Sequence, residues 1–300
     1  MLALIAPGQG SQTPGMLQPW IADPANAELL RQWSDAIDLD LLHLGTAADA
    51  DEIRDTANAQ PLIVAAGLLS AGALNLDGTF SFVAGHSVGE ITAAALAGVI
   101  TPVDALRLVR VRGLEMAKAA AVAPSGMSAV LGGDRDVVLK AILDAGLVAA
   151  NDNGGGQIVA AGDLDALAAL APEGARVRAL QVAGAFHTNF MSPAVAAFGE
   201  FASTITTSNP AVGVISNRDG QVLDSGEEVI SRIVSQVANP VRWDLCMSTM
   251  QSSGVTRALE VAPAGTLVGL LKRAAENIEG FAFKSPDNLI AANQFVSSKG

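Results

Sequence analysis

Short apolar runs alternate with longer helix-forming stretches through the first third of the chain, and this alternation restricts the fold more tightly than any other feature. In order they read LALIAP, PLIVAAGLLSAGALN, FSFVAG, EITAAALAGVI and PVDALRLVRVRGLEMAKAAA. Strands separated by helices pair in parallel, because parallel neighbours need a helix-sized crossover, and helices then cover both faces of the sheet. Beyond Ala123-Pro124-Ser125-Gly126 the texture changes. MSAVLGG, QIVAAG and RVRALQV read as strands and DRDVVLKAILDAG and DLDALAALAP as helices, with a further strand expected at LVAAND. That succession predicts a small α+β insert of ferredoxin-like type over 124–184. The main α/β domain, begun at 1–123, resumes over 185–300. There VGVISN is a strand, SGEEVISRIVSQVANP a helix ending before Pro240, TRALEVAP a late strand and GTLVGLLKRAAE a helix. The closing SSKG reads as a frayed tail.

With 300 residues, 50% of them hydrophobic, the chain can bury one large core or two smaller ones and is not disordered. No apolar stretch approaches the roughly 20 residues of a membrane span. The start, MLALIAPGQG, lacks the basic flank and the length of a signal peptide and reads as a buried strand. Cys246 is the single cysteine, so no internal disulfide forms; it reads as a structural thiol and suits a reducing cytoplasm. A net charge of −12 argues against nonspecific nucleic-acid binding, which needs a concentrated positive surface.

Gly85-His86-Ser87-Val88-Gly89 fits G-x-S-x-G, the turn that pushes a nucleophilic serine out between a strand and a helix. FSFVAG supplies the strand and EITAAALAG the helix, so the surroundings fit as well. The bland alternative is an ordinary turn with a helix-capping serine. A serine hydroxyl needs a base, usually histidine, and the chain has three. His86 adjoins Ser87, and its side chain should leave the turn in another direction. His43 falls in an amphipathic segment and reads as a helix-surface residue. His187, in VAGAFHTNFM, sits where the chain re-enters the main domain and crosses the end of its sheet. Elimination makes it the expected base, against the alternative of a buried, hydrogen-bonded histidine.

Attack on a carbonyl also calls for N–H donors aimed at the oxyanion. The Val88 amide is one expected donor, and the Gln9 amide, in the glycine loop APGQGSQ, is the other. A phosphate loop or a plain turn would look similar, although the loop lacks a P-loop lysine. Arg112 lies beside the apolar face marked by Leu106, Val109, Gly113 and Met116. A helical arginine is ordinarily a solvated charge, yet its planar fork suits a carboxylate held by two hydrogen bonds.

PGQGSQ, AQPLIVAAGLL, GHSVGE, RLVRVRG, GAFH, QVANPVRW and TLVGLLKR, in this order, resemble the malonyl-CoA:acyl carrier protein transacylases, relatives of polyketide synthase acyltransferase domains. The resemblance implies an α/β-hydrolase-like core with a ferredoxin-like insert, malonyl-CoA and an acyl carrier protein as partners, and no metal or cofactor. It implies Ser87 as nucleophile, His187 as base, the Gln9 and Val88 amides as oxyanion hole, and Arg112 as partner of the malonyl carboxylate. It further implies that the Gln236 main-chain carbonyl orients the histidine in place of an aspartate, and that Gln60 lines the pocket. Phe186, in the AFH form, implies a pocket too small for an α-methyl group. The chain departs from the family at APAGTLVGL, where many relatives carry a lysine. An acidic carrier would need a local basic surface, for which Arg107, Arg110, Lys272 and Arg273 are candidates and solvated faces the alternative. A serine thioesterase or hydrolase, and a noncatalytic carrier-docking module, are the rival readings.

Overall fold

The protein is described by a computed structural model that covers residues 1–298. Its elements in chain order are β1 Leu2–Ala6, α1 Pro24–Ile37, α2 Leu41–Thr46, α3 Thr56–Gly72, β2 Phe82–Gly85, α4 Gly89–Leu96 and α5 Pro102–Ala120. There follow β3 Gly126–Gly132, α6 Arg135–Asp144, β4 Val148–Asp152, β5 Gln157–Gly162, α7 Leu164–Ala169 and β6 Ala175–Ala179. The remainder comprises α8 Ser192–Ala202, β7 Gly213–Ile215, β8 Val222–Leu223, α9 Gly226–Gln236, β9 Val241–Arg242, α10 Trp243–Ser252, β10 Arg257–Glu260, α11 Thr266–Ala274, β11 Glu279–Ala282 and α12 Leu289–Ser297. Of the expected tail, Lys299 and Gly300 lie outside the described residues, and the preceding stretch closes α12.

The larger sheet runs β11-β10-β1-β2-β7-β8. Every neighbouring pair is parallel except β7–β8. The expected parallel sheet is therefore mixed, because the two-residue β8 folds back on its predecessor as a hairpin edge. β1 sits centrally and is buried along its length, as an uninterrupted apolar run predicts. Leu2, Leu4 and Ala6 join the apolar layer on one face, whereas Ala3 and Ile5 join the layer with α10 and α11 on the other. Helix α3 is apolar on all sides and almost wholly buried, the expectation for a helix enclosed by others.

A second sheet runs β6-β3-β5-β4-β9. Its first four strands come from one continuous segment and pair antiparallel, with α6 and α7 packed on one face. β9, from the returning half of the chain, pairs in parallel with β4 through Asn151↔Val241 and Asp152↔Arg242. The segment expected as a closed insert thus borrows its edge strand from the main body. Among the described residues, no helix is long and apolar enough to cross a membrane.

Candidate active site

β1 and β2 end together, with Ala6 paired to Gly85, so the loops that follow them emerge side by side at the carboxyl edge of the sheet. Ser87 occupies the left-handed region at φ 53, a conformation that costs a non-glycine residue about 1–3 kcal/mol. The flanking glycines allow it. A Cβ on Gly85 would lie 1.9 Å from the Gly89 carbonyl carbon, and one on Gly89 would lie 2.3 Å from the Ala6 oxygen. Asn217, after β7, braces the turn: its Oδ1 accepts from the Ser87 N–H at 2.8 Å and its Nδ2 donates to the Gly85 carbonyl at 2.7 Å. Nothing in the local pattern around Asn217 marks this role, because its partners lie 130 residues away in sequence.

His187, also left-handed at φ 61, brings Nε2 to 2.7 Å from Ser87 Oγ. Its Nδ1 lies 2.8 Å from the Gln236 main-chain oxygen. A carbonyl can only accept, so Nδ1 carries the proton and the Nε2 lone pair faces the serine hydroxyl. Burial, and then the Arg112 charge, hold the imidazole down at about 3, against the pull of the Gln236 carbonyl. The ring is neutral and ready to accept. The other two histidines make no hydrogen bond to the serine hydroxyl: His86 also lines the cleft, but its Nε2 is 2.8 Å from Asn153 Oδ1, and His43 pairs with Glu52 on the surface at 3.0 Å.

Arg112 departs from the ordinary helical arginine, being only 1% exposed. Its Nη1 donates to Gln60 Oε1 at 2.7 Å and its Nη2 to Gln236 Oε1 at 2.8 Å, while Nη2 stands 3.5 Å from Ser87 Oγ. Among the described residues, its Nε–H is buried with no partner. Burial brings the guanidinium down to about 10, with Glu90 restoring part of the loss, so it stays charged at neutral pH. The Gln236 side-chain nitrogen is surrounded by acceptors: Glu90 Oε2 at 2.5 Å, and Ser87 O and Asn217 Oδ1 at 3.1 Å each. Glu90 itself is 4% exposed, and its other oxygen accepts from the Asn217 N–H. Burial pushes this carboxyl up to about 7, against the Asn217 N–H, Arg112, Arg232 and Gln236, which all favour its charge. A glutamate in the first turn of an exposed helix would look the same in sequence.

A cleft of about 190 Å³ opens over these groups, between the carboxyl edge of the large sheet and the second sheet. Gln9, Gln60, Phe186 and His187 line it with Ser87, while Met127, Val159 and Leu180 come from the second sheet and Leu267 and Leu270 from α11. Among the described residues, the Gln9 and Val88 amides donate to no protein acceptor. Of the basic candidates, Arg107 faces Asp104 at 3.7 Å and Arg273 donates to Gln157 at 3.0 Å, while Lys272 is exposed. Arg110 donates to the Ala57 carbonyl at 3.0 Å, the oxygen that Pro61, lacking an N–H, leaves free within α3. Among the described residues, no group of three or more His, Cys, Asp or Glu stands ready to hold a metal.

Comparison with known proteins finds relatives over nearly the whole chain. The family model for the acyl transferase domain matches residues 4–287. A malonyl CoA-acyl carrier protein transacylase of Mycobacterium tuberculosis is 53% identical over 296 residues, covering 96% of this chain and 98% of that protein. The crystal structure of MCAT from the same organism superposes with a TM-score of 0.95, covering 98% of this chain and 99% of the other. A malonyl-transacylase solved in complex with its type II PKS acyl-carrier protein superposes at 0.89 with 30% identity, covering 98% and 99%.

Proposed function

The chain belongs to the acyl transferase domain family, and from that membership we propose how its cleft works. The protein transfers a malonyl group from malonyl-CoA to an acyl carrier protein. Ser87 Oγ attacks the thioester carbonyl while His187 Nε2 takes its proton. The C–S bond then breaks, and the same proton leaves with the coenzyme A thiol. The malonyl ester on Ser87 is attacked in turn by the carrier's phosphopantetheine thiol, with His187 accepting the thiol proton and returning it to Ser87. The single observation that carries this reading is the 2.7 Å approach of Ser87 Oγ to His187 Nε2, with the ring oriented by the Gln236 carbonyl. A neutral acceptor there fixes tautomer and direction without adding a buried charge beside Arg112.

The Gln9 and Val88 amides, free of protein acceptors, are assigned to the oxyanion that forms at the carbonyl. Arg112 is assigned to the far carboxylate of the malonyl group. Its unpartnered Nε–H supports that role, and Gln60 and Gln236 hold the fork in place from two sides. Phe186, 5% exposed and on the cleft wall, is assigned to excluding an α-methyl branch. We take 1–123 and 185–300 as a hydrolase-like core and 124–184 as a ferredoxin-like unit. The unit's strand order β6-β3-β5-β4, with α6 and α7 on one face, supports the second name. The lone buried thiol of Cys246 supports a cytoplasmic setting.

Intact-mass measurement on enzyme mixed with malonyl-CoA tests the assignment: one malonyl adduct is expected, absent in Ser87→Ala and discharged by holo carrier protein. Rapid release of free malonate without carrier would instead make the protein a hydrolase, and no adduct at all would make it a docking module.

A further inference from the structure

The buried cluster beneath Ser87 holds one full positive and one full negative charge when both groups are ionised. Arg112 and Glu90 do not touch. The Gln236 amide stands between them, taking Arg112 Nη2 on its oxygen and giving its N–H to Glu90 Oε2. Glu90 therefore balances the guanidinium without occupying the edge of the fork that a substrate would use. A malonyl carboxylate paired with Arg112 adds a second negative charge to the same water-poor site. Two buried anions sharing one cation repel, and the cheapest relief is a proton on the more basic of them.

We infer that Glu90 is the proton-balancing residue of the acyl pocket, ionised against Arg112 in the free enzyme on the alkaline side of neutrality and taking a proton from solvent when a malonyl ester forms on Ser87. The inference rests on the assignment of the malonyl carboxylate to Arg112. The groups that face Glu90 leave no better acceptor. Asn217 and Gln236 offer it only N–H donors. Arg232, on α9, is already matched by Asp219 and Glu228. Cys246, on α10, is a buried thiol whose acidity is suppressed by burial and by Glu90 itself, so it is already protonated. His187 faces Arg112 and is held neutral far below the range in which Glu90 titrates. Glu90, pushed by burial up to about 7, is the group nearest to accepting a proton under neutral conditions.

The step balances simply. Ester formation exchanges the Ser87 O–H for the coenzyme A S–H with no net proton, and an acetyl ester does the same without bringing a carboxylate. Proton uptake per ester, read with a pH indicator in weak buffer and normalised to the adduct counted by mass, is therefore compared between malonyl-CoA and acetyl-CoA. At pH 8 malonyl should take up about half a proton or more beyond acetyl, and near pH 5.5, where Glu90 is already neutral, the difference should vanish. Correspondingly, the ratio of malonyl to acetyl esterification constants should fall by up to about tenfold per pH unit above neutrality. Glu90→Gln should remove both effects, and Glu90→Asp, should the glutamine variant not fold, should shift the pH window. Equal uptake with the two acyl groups, or uptake that survives Glu90→Gln, or a window unmoved in Glu90→Asp, overturns the inference. Failure of the wild-type enzyme to form any malonyl ester would count against the proposed function instead.

Discussion

Gln236 does two jobs with two ends of one residue. Its main-chain oxygen sets the direction of His187, and its side-chain oxygen sets that of Arg112. The imidazole and the guanidinium are thereby held in a common frame, and a shift of α9 would disturb both. On the proposed assignment, truncating Arg112 removes charged hydrogen bonds to the malonyl carboxylate, each worth about 1.5–3 kcal/mol. Arg112→Ala should accordingly lower kcat/KM for malonyl-CoA by about 100-fold or more while lowering that for acetyl-CoA far less. Steady-state rates with the two donors decide the matter, and an equal loss for both would remove the carboxylate from Arg112. The turn pattern and elimination point to Ser87 and His187, which the fold brings within 2.7 Å of each other. Glu90 and Asn217 were not legible, because a buried carboxylate and a buried amide acquire meaning only from Arg112 and Gln236, which distant elements bring to them.

Helix α11 forms one wall of the cleft, and its N-terminus is held by a residue of the preceding strand. Glu260, fully buried at the end of β10, accepts from the amides of Gly265, Leu267 and Val268 at 2.8–3.0 Å. Its negative charge also meets the positive end of the helix dipole. Glu260→Ala would leave these amides without an acceptor and should destabilise the protein by about 3 kcal/mol, read as a lower urea midpoint. An unchanged midpoint would mean that water replaces the carboxylate at no cost. The departure at APAGTLVGL falls in this loop, whose helix start is held by Glu260. Long, strongly patterned elements were readable in advance, among them α3, α5, α9 and all four strands of the 124–184 segment. β8 and β9 were not, since a two-residue strand is defined by its partner and carries no periodicity of its own. α1 is marked in the sequence after all, by Leu30, Trp33 and Ile37 at helical spacing behind the Asp23 cap and Pro24, whereas α10 has no side-chain cap to announce its start.

At the scale of the whole molecule, β9 ties the second sheet to the core, and the cleft is lined from both sides. Two bodies joined by a shared strand and a shared site should unfold together. The three tryptophans, Trp20, Trp33 and Trp243, all lie outside 124–184, and Trp20 and Trp33 belong to the main core, so fluorescence follows chiefly the core, whereas far-ultraviolet circular dichroism follows both parts. Thermal melts by the two probes should coincide, and a separate dichroism transition would show the second sheet melting by itself. The hydrogen-bonded pair spans the whole 124–184 segment, with Ser87 ahead of it, His187 behind it and Gln236 later still. During synthesis the serine leaves the ribosome long before the residues that activate and orient its partner. On the proposed assignment, a chain made only as far as the 124–184 segment has neither His187 nor Gln236 beside Ser87, and stays chemically silent toward cellular thioesters until those residues have emerged and folded.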